Sequence, residues 1–226
     1  VLSGPRIALA ALDLAGTLVA DDGVVEGAFA DALAELGFEP TPEQQRVVLE
    51  TMGQSKIVVF RRLLGDEAAA QRASTAFEDA YARRVARGEV GPLPGAADAL
   101  AALRDAGVRL CLTTGFSDHT RAALVEHLGW TSAVDLQLSP GPGIRGRPYP
   151  DLVLTALLRL GIDDVRAVAV AGDTVNDLWS GWRAGAGVVA GVLTGAHDRA
   201  TLAQVPHTHL LDTIADLVPV VLGDTG

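Results

Sequence analysis

Two hydrophobic rhythms divide the chain. Arg6-Ile-Ala-Leu-Ala-Ala-Leu-Asp13 is an apolar run of strand length that stops abruptly in an acid. A run without alternation predicts a strand covered on both faces. From 20 to 93 the pattern changes: Ala, Leu, Glu and Arg recur at helical spacing and β-branched runs are scarce. The spacing predicts four helices there. The first covers 26–36. The second is opened by Thr41 as N-cap with Pro42 at its first position, and runs to about residue 51. The third is capped by Ser55 and carries Lys56. The fourth covers 67–86. Gly91-Pro-Leu-Pro-Gly95 then punctuates the chain like a hinge.

Beyond that hinge, helix and strand alternate. Helices are expected over 96–106, 120–128, 150–160 and 176–184, and strands over 108–113, 134–138, 165–171 and 187–193. A short strand at 209–211 and a closing helix over 213–217 complete the pattern. Strands alternating with helices of this kind build βαβ units around a parallel sheet. The expected fold class is α/β, a Rossmann-like parallel sheet core with an inserted all-helical cap domain. The core is read as 1–19 and 94–226, the cap as 20–93, with hinges at 19–23 and 90–95.

Composition narrows the partners. The chain has 226 residues, 49% of them apolar, enough for a sizeable core. A net charge of −10 argues against nucleic acid or an anionic membrane as partner, yet permits a small anionic substrate at a locally opposed site. The one cysteine, Cys111, lies inside an apolar run and reads as a packing residue; it allows no internal disulfide and fits a reducing compartment. No apolar run reaches the roughly 18 residues of a membrane span, and the beginning of the chain lacks the pattern of a signal peptide. A cytoplasmic protein, monomer or homodimer, is expected.

Four segments carry candidate chemistry: Asp13-Leu-Ala-Gly-Thr17, Thr113-Thr-Gly-Phe116, Gly146-Arg-Pro-Tyr-Pro-Asp151 and Gly172-Asp-Thr-Val-Asn-Asp177. Three sit at the carboxyl ends of predicted strands, where open α/β sheets bind ligands. Together they offer the carboxylates Asp13, Asp173 and Asp177, the hydroxyl of Thr114 and the guanidinium of Arg147. Clustered acids repel unless a cation offsets them, and oxygen donors without His or Cys suit Mg²⁺. A carboxylate beside Mg²⁺, with Arg and Thr as donors, is suited to phosphoryl transfer.

In this order the four segments resemble motifs I to IV of the haloacid dehalogenase superfamily, with a helical cap inserted after motif I. The resemblance implies that Asp13 is the nucleophile that forms an aspartyl-phosphate. It implies that Asp13, the Ala15 carbonyl, Asp173 and Asp177 hold Mg²⁺, that Thr114 binds a phosphoryl oxygen, and that Arg147 offsets its charge. Most phosphatases of the superfamily carry a second acid two residues after the nucleophile, to protonate the leaving group. Here that position is Ala15, and loss of a general acid costs a factor of roughly 10²–10⁴. Asp21 and Asp22, nearby in sequence, are expected in the cap linker and not as replacements.

The form Asp-x-Ala-Gly-Thr is similar to phosphonatase, in which a cap lysine forms an imine with the substrate aldehyde and makes that acid unnecessary. Met52-Gly-Gln-Ser-Lys56 resembles the corresponding stretch, so Lys56 becomes the implied imine-forming residue. The same resemblance assigns Thr17, Met52, Gly53, Gly115 and Phe116 to substrate binding. Lys56 has a separate argument, for it is the only lysine beside 17 arginines, and a guanidinium cannot form an imine. Three positions depart from phosphonatase: Val59 replaces a histidine, Gly23 a cysteine and Phe116 a tyrosine. Two reactions stay open: P–C cleavage of phosphonoacetaldehyde or a related phosphonate, and hydrolysis of a small phosphate ester. A C–halogen hydrolase and a non-catalytic scaffold fit the acids less well. His207 and His209, His119, and Trp179 with Trp182 are read as surface or packing residues.

Overall fold

The computed structural model describes residues 5–21 and 23–223. Its elements run β1 (Leu9–Asp13), α1 (Val24–Glu35), α2 (Pro42–Glu50), α3 (Lys56–Leu64), α4 (Glu67–Ala86), α5 (Ala96–Asp105), β2 (Arg109–Thr113), α6 (Asp118–His127) and β3 (Leu136–Leu138). They continue α7 (Asp151–Arg159), β4 (Val168–Gly172), α8 (Val175–Ala184), β5 (Val188–Val192), α9 (Arg199–Leu202), β6 (His209–Leu211) and α10 (Leu217–Leu222). The strands form one sheet in the order β3-β2-β1-β4-β5-β6, and each pairing is parallel. This is the α/β sheet with an inserted helical cap that the periodicity predicts.

β1 shows why its sequence is continuously apolar. All five of its residues are buried; Ala10 and Leu12 join one core cluster, whereas Leu9 and Ala11 face a second one built with α7. Cys111 on β2 lies in that second cluster, and burial pushes its thiol up to about 12, as expected of an inert packing residue. The sheet edge at Asp13 is therefore backed by apolar layers on both sides.

Helices α1 to α4 lie between β1 and α5 and form the cap. α1 packs on α4, and α3 packs on α4. Phe29, Phe60, Phe77 and Tyr81 make their shared aromatic centre, and Phe116, from the loop after β2, joins it with a ring 4.7 Å from Tyr81. Thr41 and Gln44 close a capping box on α2, and Asp66 caps α4 by accepting from Ala69 N at 2.7 Å.

Some elements depart from the predicted pattern. The strand expected at 165 starts as a 3-10 turn over Val165–Ala167, because Asp164 accepts from Arg166 N and curls the chain before β4. The closing helix lies later than expected: 214–216 is a 3-10 turn, and α10 follows with Pro219 in its first turn, where a missing N–H costs nothing. The one-turn helix α9, capped by Asp198, was not anticipated. Ser55 does precede α3, but its side chain makes no capping hydrogen bond.

Candidate active site

The strand order reverses between β1 and β4, and such a switch point leaves a crevice at the carboxyl edge of the sheet. Asp13 ends β1 in register with Thr113 at the end of β2. Asp173 follows the last residue of β4. The two acids thus flank the crevice, and Asp177 reaches it from the first turn of α8. Ligand atoms of Asp13, Asp173 and Asp177 lie within 4.8 Å of one another, and all three side chains are buried.

Arg147 is threaded between these acids. Its Nη2 contacts Asp13 Oδ1 at 2.7 Å and its Nε contacts Asp177 Oδ1 at 2.9 Å. Nη2 also donates to Thr113 Oγ1 at 3.0 Å, and Nη1 to the Gly53 carbonyl of the cap at 3.5 Å. The Arg147–Pro148 peptide bond is cis. Asp177 is held further by Thr174, whose backbone N–H donates to Oδ2 at 3.1 Å and whose hydroxyl donates to the same oxygen at 2.5 Å. Asp173 accepts from Ala196 N at 2.7 Å and from Thr17 Oγ1 at 3.3 Å.

Two of the three buried carboxylates therefore pair with one guanidinium, while Asp173 is held by neutral donors. Burial raises the Asp13 carboxyl to about 6, Arg147 pulls it back in part, and Asp173 raises it again. Asp173 and Asp177 are raised mainly by burial, and Asp177 also raises Asp173. A cluster this short of positive charge, made of hard oxygen donors only, fits a divalent cation such as Mg²⁺.

The cap closes directly on this edge. Asn176 Nδ2 donates to the Met52 carbonyl at 2.7 Å, Gln54 Nε2 donates to Asn176 Oδ1 at 3.2 Å, and Lys56 N donates to the Gly115 carbonyl at 3.3 Å. Two glycines permit the approach. A Cβ on Gly53 would lie 2.6 Å from Thr174 Oγ1, and one on Gly115 would lie 2.3 Å from the Gln54 carbonyl oxygen. Gly53 also has a φ of 80°, which a side chain disfavours.

Lys56 opens α3, and its side chain is buried at the cap–core boundary. Its Nζ sits 5.5 Å from the Phe29 ring centroid, 5.8 Å from Phe77 and 5.3 Å from Phe116. Burial lowers its ammonium to about 8, while Asp21 and Asp13 oppose that shift. The first turn of a helix adds a field that disfavours a cation. A small cavity is lined by both Lys56 and Asp13, together with Ala15, Met52, Thr114 and Phe116.

The remaining site candidates fall as follows. Thr114 Oγ1 accepts from Phe116 N at 3.2 Å and faces the cavity. Thr17 is fully buried, and its hydroxyl is directed at Asp173 and not into the cavity. Gly53 and Gly115 also line the cavity. Val59 lies in the apolar core, and Gly23 precedes α1. His207 and His209 bond to Val205 O and Thr208 Oγ1, away from the acid cluster. Trp182 is half exposed. Asp22 lies outside the described residues. Sequence reasoning passed over Asn176, which clamps the cap; Asp21, expected in the cap linker and not as a replacement acid, lines the cavity. The Asn of the motif IV segment was in view, but its partner is a backbone carbonyl 124 residues away.

Comparison with known proteins gives a consistent picture. A family model described as haloacid dehalogenase-like hydrolase matches residues 7–185. The chain is 30% identical to the Dickeya dadantii protein named Probable phosphatase IndB, over 93% of this chain and 91% of that one. It is also 30% identical to the phosphonoacetaldehyde hydrolase of Bordetella pertussis, over 96% and 91%. Among solved structures, a phosphonoacetaldehyde hydrolase-like protein from Oleispira antarctica shares the fold with a TM-score of 0.83 and 23% identity, over 98% of this chain and 93% of that one.

Proposed function

The chain belongs to the haloacid dehalogenase-like hydrolases, and from that premise we propose that it cleaves the P–C bond of phosphonoacetaldehyde or a related phosphonate. The observation that carries this reading is the pairing of Lys56 and Asp13 on one cavity, with Ala15 where a leaving-group acid would stand. Its aromatic surroundings and its lowered ammonium make Lys56 a competent amine near neutral pH.

In this mechanism the Lys56 amine adds to the substrate aldehyde, and loss of water gives a protonated imine. An Asp13 carboxylate oxygen attacks phosphorus. The P–C bond breaks, and its electron pair moves toward the iminium nitrogen to leave an enamine. The enamine carbon takes a proton, and water releases acetaldehyde and free Lys56. A second water hydrolyses the aspartyl-phosphate to phosphate. Arg147 and Thr114 orient the phosphonate oxygens. Mg²⁺, held by Asp13, the Ala15 carbonyl, Asp173 and Asp177, would offset phosphonate charge as the new P–O bond forms. Cap closure over 52–56 keeps bulk water from the intermediate.

We take the cap as 20–93 and the core as 1–19 and 94–226, hinged at 19–23 and 90–95. The reading fits a cytoplasmic enzyme, monomer or homodimer. A second reading, hydrolysis of a small phosphate ester, is favoured by Val59 and Gly23, which lack the proton-carrying side chains of phosphonatase, and by the similarity to the Dickeya phosphatase.

The test is reduction with borohydride in the presence of phosphonoacetaldehyde, followed by intact mass and peptide mapping. The expected result is an adduct on Lys56, absent in Lys56→Arg. Enzyme stripped with a chelator should still form the adduct while releasing no phosphate. No adduct on folded, Mg²⁺-supplied enzyme, with turnover of a phosphate-ester panel, would replace the first reading by the second.

A further inference from the structure

An imine cycle needs a group that moves protons at the lysine, and the recognisable motif positions supply none. Ala15 carries a methyl group, Val59 is buried in the apolar core, and Gly23 has no side chain. Asp13 and Asp173 are engaged by the phosphorus chemistry and the metal, and Thr114 is a weak acid. Among the described residues, one further carboxylate lines the cavity that Lys56 and Asp13 share: Asp21.

Asp21 arrives there from the linker between β1 and α1. It is fixed at the start of α1, where its Oδ1 accepts from Val25 N at 2.8 Å in place of a side-chain cap from Gly23. It is also the charged group that acts most strongly on the Lys56 ammonium, ahead of Asp13, Arg147 and Asp173. The other titratable groups near Lys56 come from α4. The Tyr81 phenol is pushed up by burial and then by Asp21 and Asp13, so it stays protonated; Glu78 lines a second cavity that Lys56 also lines but Asp13 does not.

We infer that Asp21 is the acid–base residue of the Lys56 imine cycle, a role that rests on the proposed P–C cleavage. The Asp21 carboxylate takes a proton from the Lys56 ammonium, which frees the nitrogen lone pair. The amine adds to the aldehyde carbon, and its second proton passes to the new oxygen. Asp21 then returns its proton to the carbinolamine hydroxyl, which leaves as water and yields the iminium. Asp21 ends as a carboxylate, and the same steps run in reverse hydrolyse the product imine.

Because Lys56 is the only lysine, a lysine labelled with ¹³C at Cε gives one reporter of its protonation. Acetaldehyde, the product of the proposed reaction, forms the same imine without phosphorus chemistry. Cyanoborohydride trapping mapped to Lys56 then gives the rate of imine formation. Asp21→Asn keeps an acceptor for Val25 N but loses the charge and the proton. The expected result is a Lys56 pKa moved below about 8 and a trapping rate at pH 7.5 lowered on the order of 10²-fold, restored in large part by Asp21→Glu. A mere counter-ion would behave differently, since a lower pKa leaves more free amine and trapping would speed up. A disrupted cap would move the pKa upward, toward that of an exposed lysine. An unchanged or faster rate, or an upward shift, overturns the role of Asp21 alone. Absence of any Lys56 adduct in the wild type overturns the imine reading, and this inference with it.

Discussion

Lys56, proposed above as the imine-forming residue, works against the fold that holds it. Its ammonium lies at about 8, against 10.5 for an exposed lysine, because burial disfavours the charged form. The folded state therefore binds fewer protons than the unfolded chain between those values, and stability rises with pH across that window. Below about pH 8 the folded protein carries the full cost of a buried cation, about 3 kcal/mol at most for a shift of this size. Lys56→Met keeps the length and apolar stem, and its side chain suits the Phe29, Phe77 and Phe116 surroundings. The expected outcome is a protein more stable at pH 7 by up to about 3 kcal/mol, with the advantage fading above pH 10 and with no turnover. Urea denaturation at pH 7 and pH 10.5 checks this; a destabilised variant at pH 7 would show that the ammonium is well compensated.

The element that brings Lys56 to Asp13 is the short loop ahead of α3. α8 grips it through Asn176, which binds the Met52 carbonyl and the Gln54 side chain. Asn176→Ala removes both bonds and leaves the Met52 carbonyl without that donor, a loss of about 1–3 kcal/mol where the group stays buried. Part of the cap population should open. The expected outcome is kcat/KM reduced on the order of ten-fold, with faster deuterium exchange confined to 52–56 and an unchanged Lys56 pKa in the closed form; unchanged exchange would separate Asn176 from closure. This loop also marks how far the sequence could be read. Helical spacing located α4 over 67–86, and the capping box at Thr41 was visible as a Thr-Pro start, because both depend on neighbours within a few residues. The acids at strand ends were legible because a buried strand must end where its charge begins. Asp21 was not, because its position depends on the path of a linker between two packed bodies, and periodicity carries no information on that path. Nor was the turn at 165–167, where Asp164 overrides an apolar strand pattern by bonding to its own backbone.

At the scale of the molecule, the chain carries a net charge of −10 and is proposed to act on a phosphonate that is itself an anion. The open groove beside the site holds Arg61, Arg145 and Arg183, which suggests local attraction. Yet Arg61 is paired with Glu67 and Arg145 with Asp151, so two of these cations are largely cancelled before a substrate arrives. Arg183 donates to the Pro148 carbonyl and lies over the Trp179 ring, which leaves its charge uncancelled by those contacts. One net positive charge at the rim does not outweigh the field of the whole chain when the Debye length is long, about 30 Å at 0.01 M salt. At 0.15 M that length falls to about 8 Å, so charges far from the groove are largely screened. Raising the ionic strength across this range should therefore increase kcat/KM on the order of five-fold while leaving kcat unchanged, since in the proposed site the bound substrate would face Arg147 and a bound cation at short range. Steady-state kinetics in NaCl at fixed Mg²⁺ measure this directly. A decrease in kcat/KM with salt would mean that Arg183 and the groove focus the substrate more strongly than the net charge repels it. In that case Arg183→Gln should abolish the salt dependence.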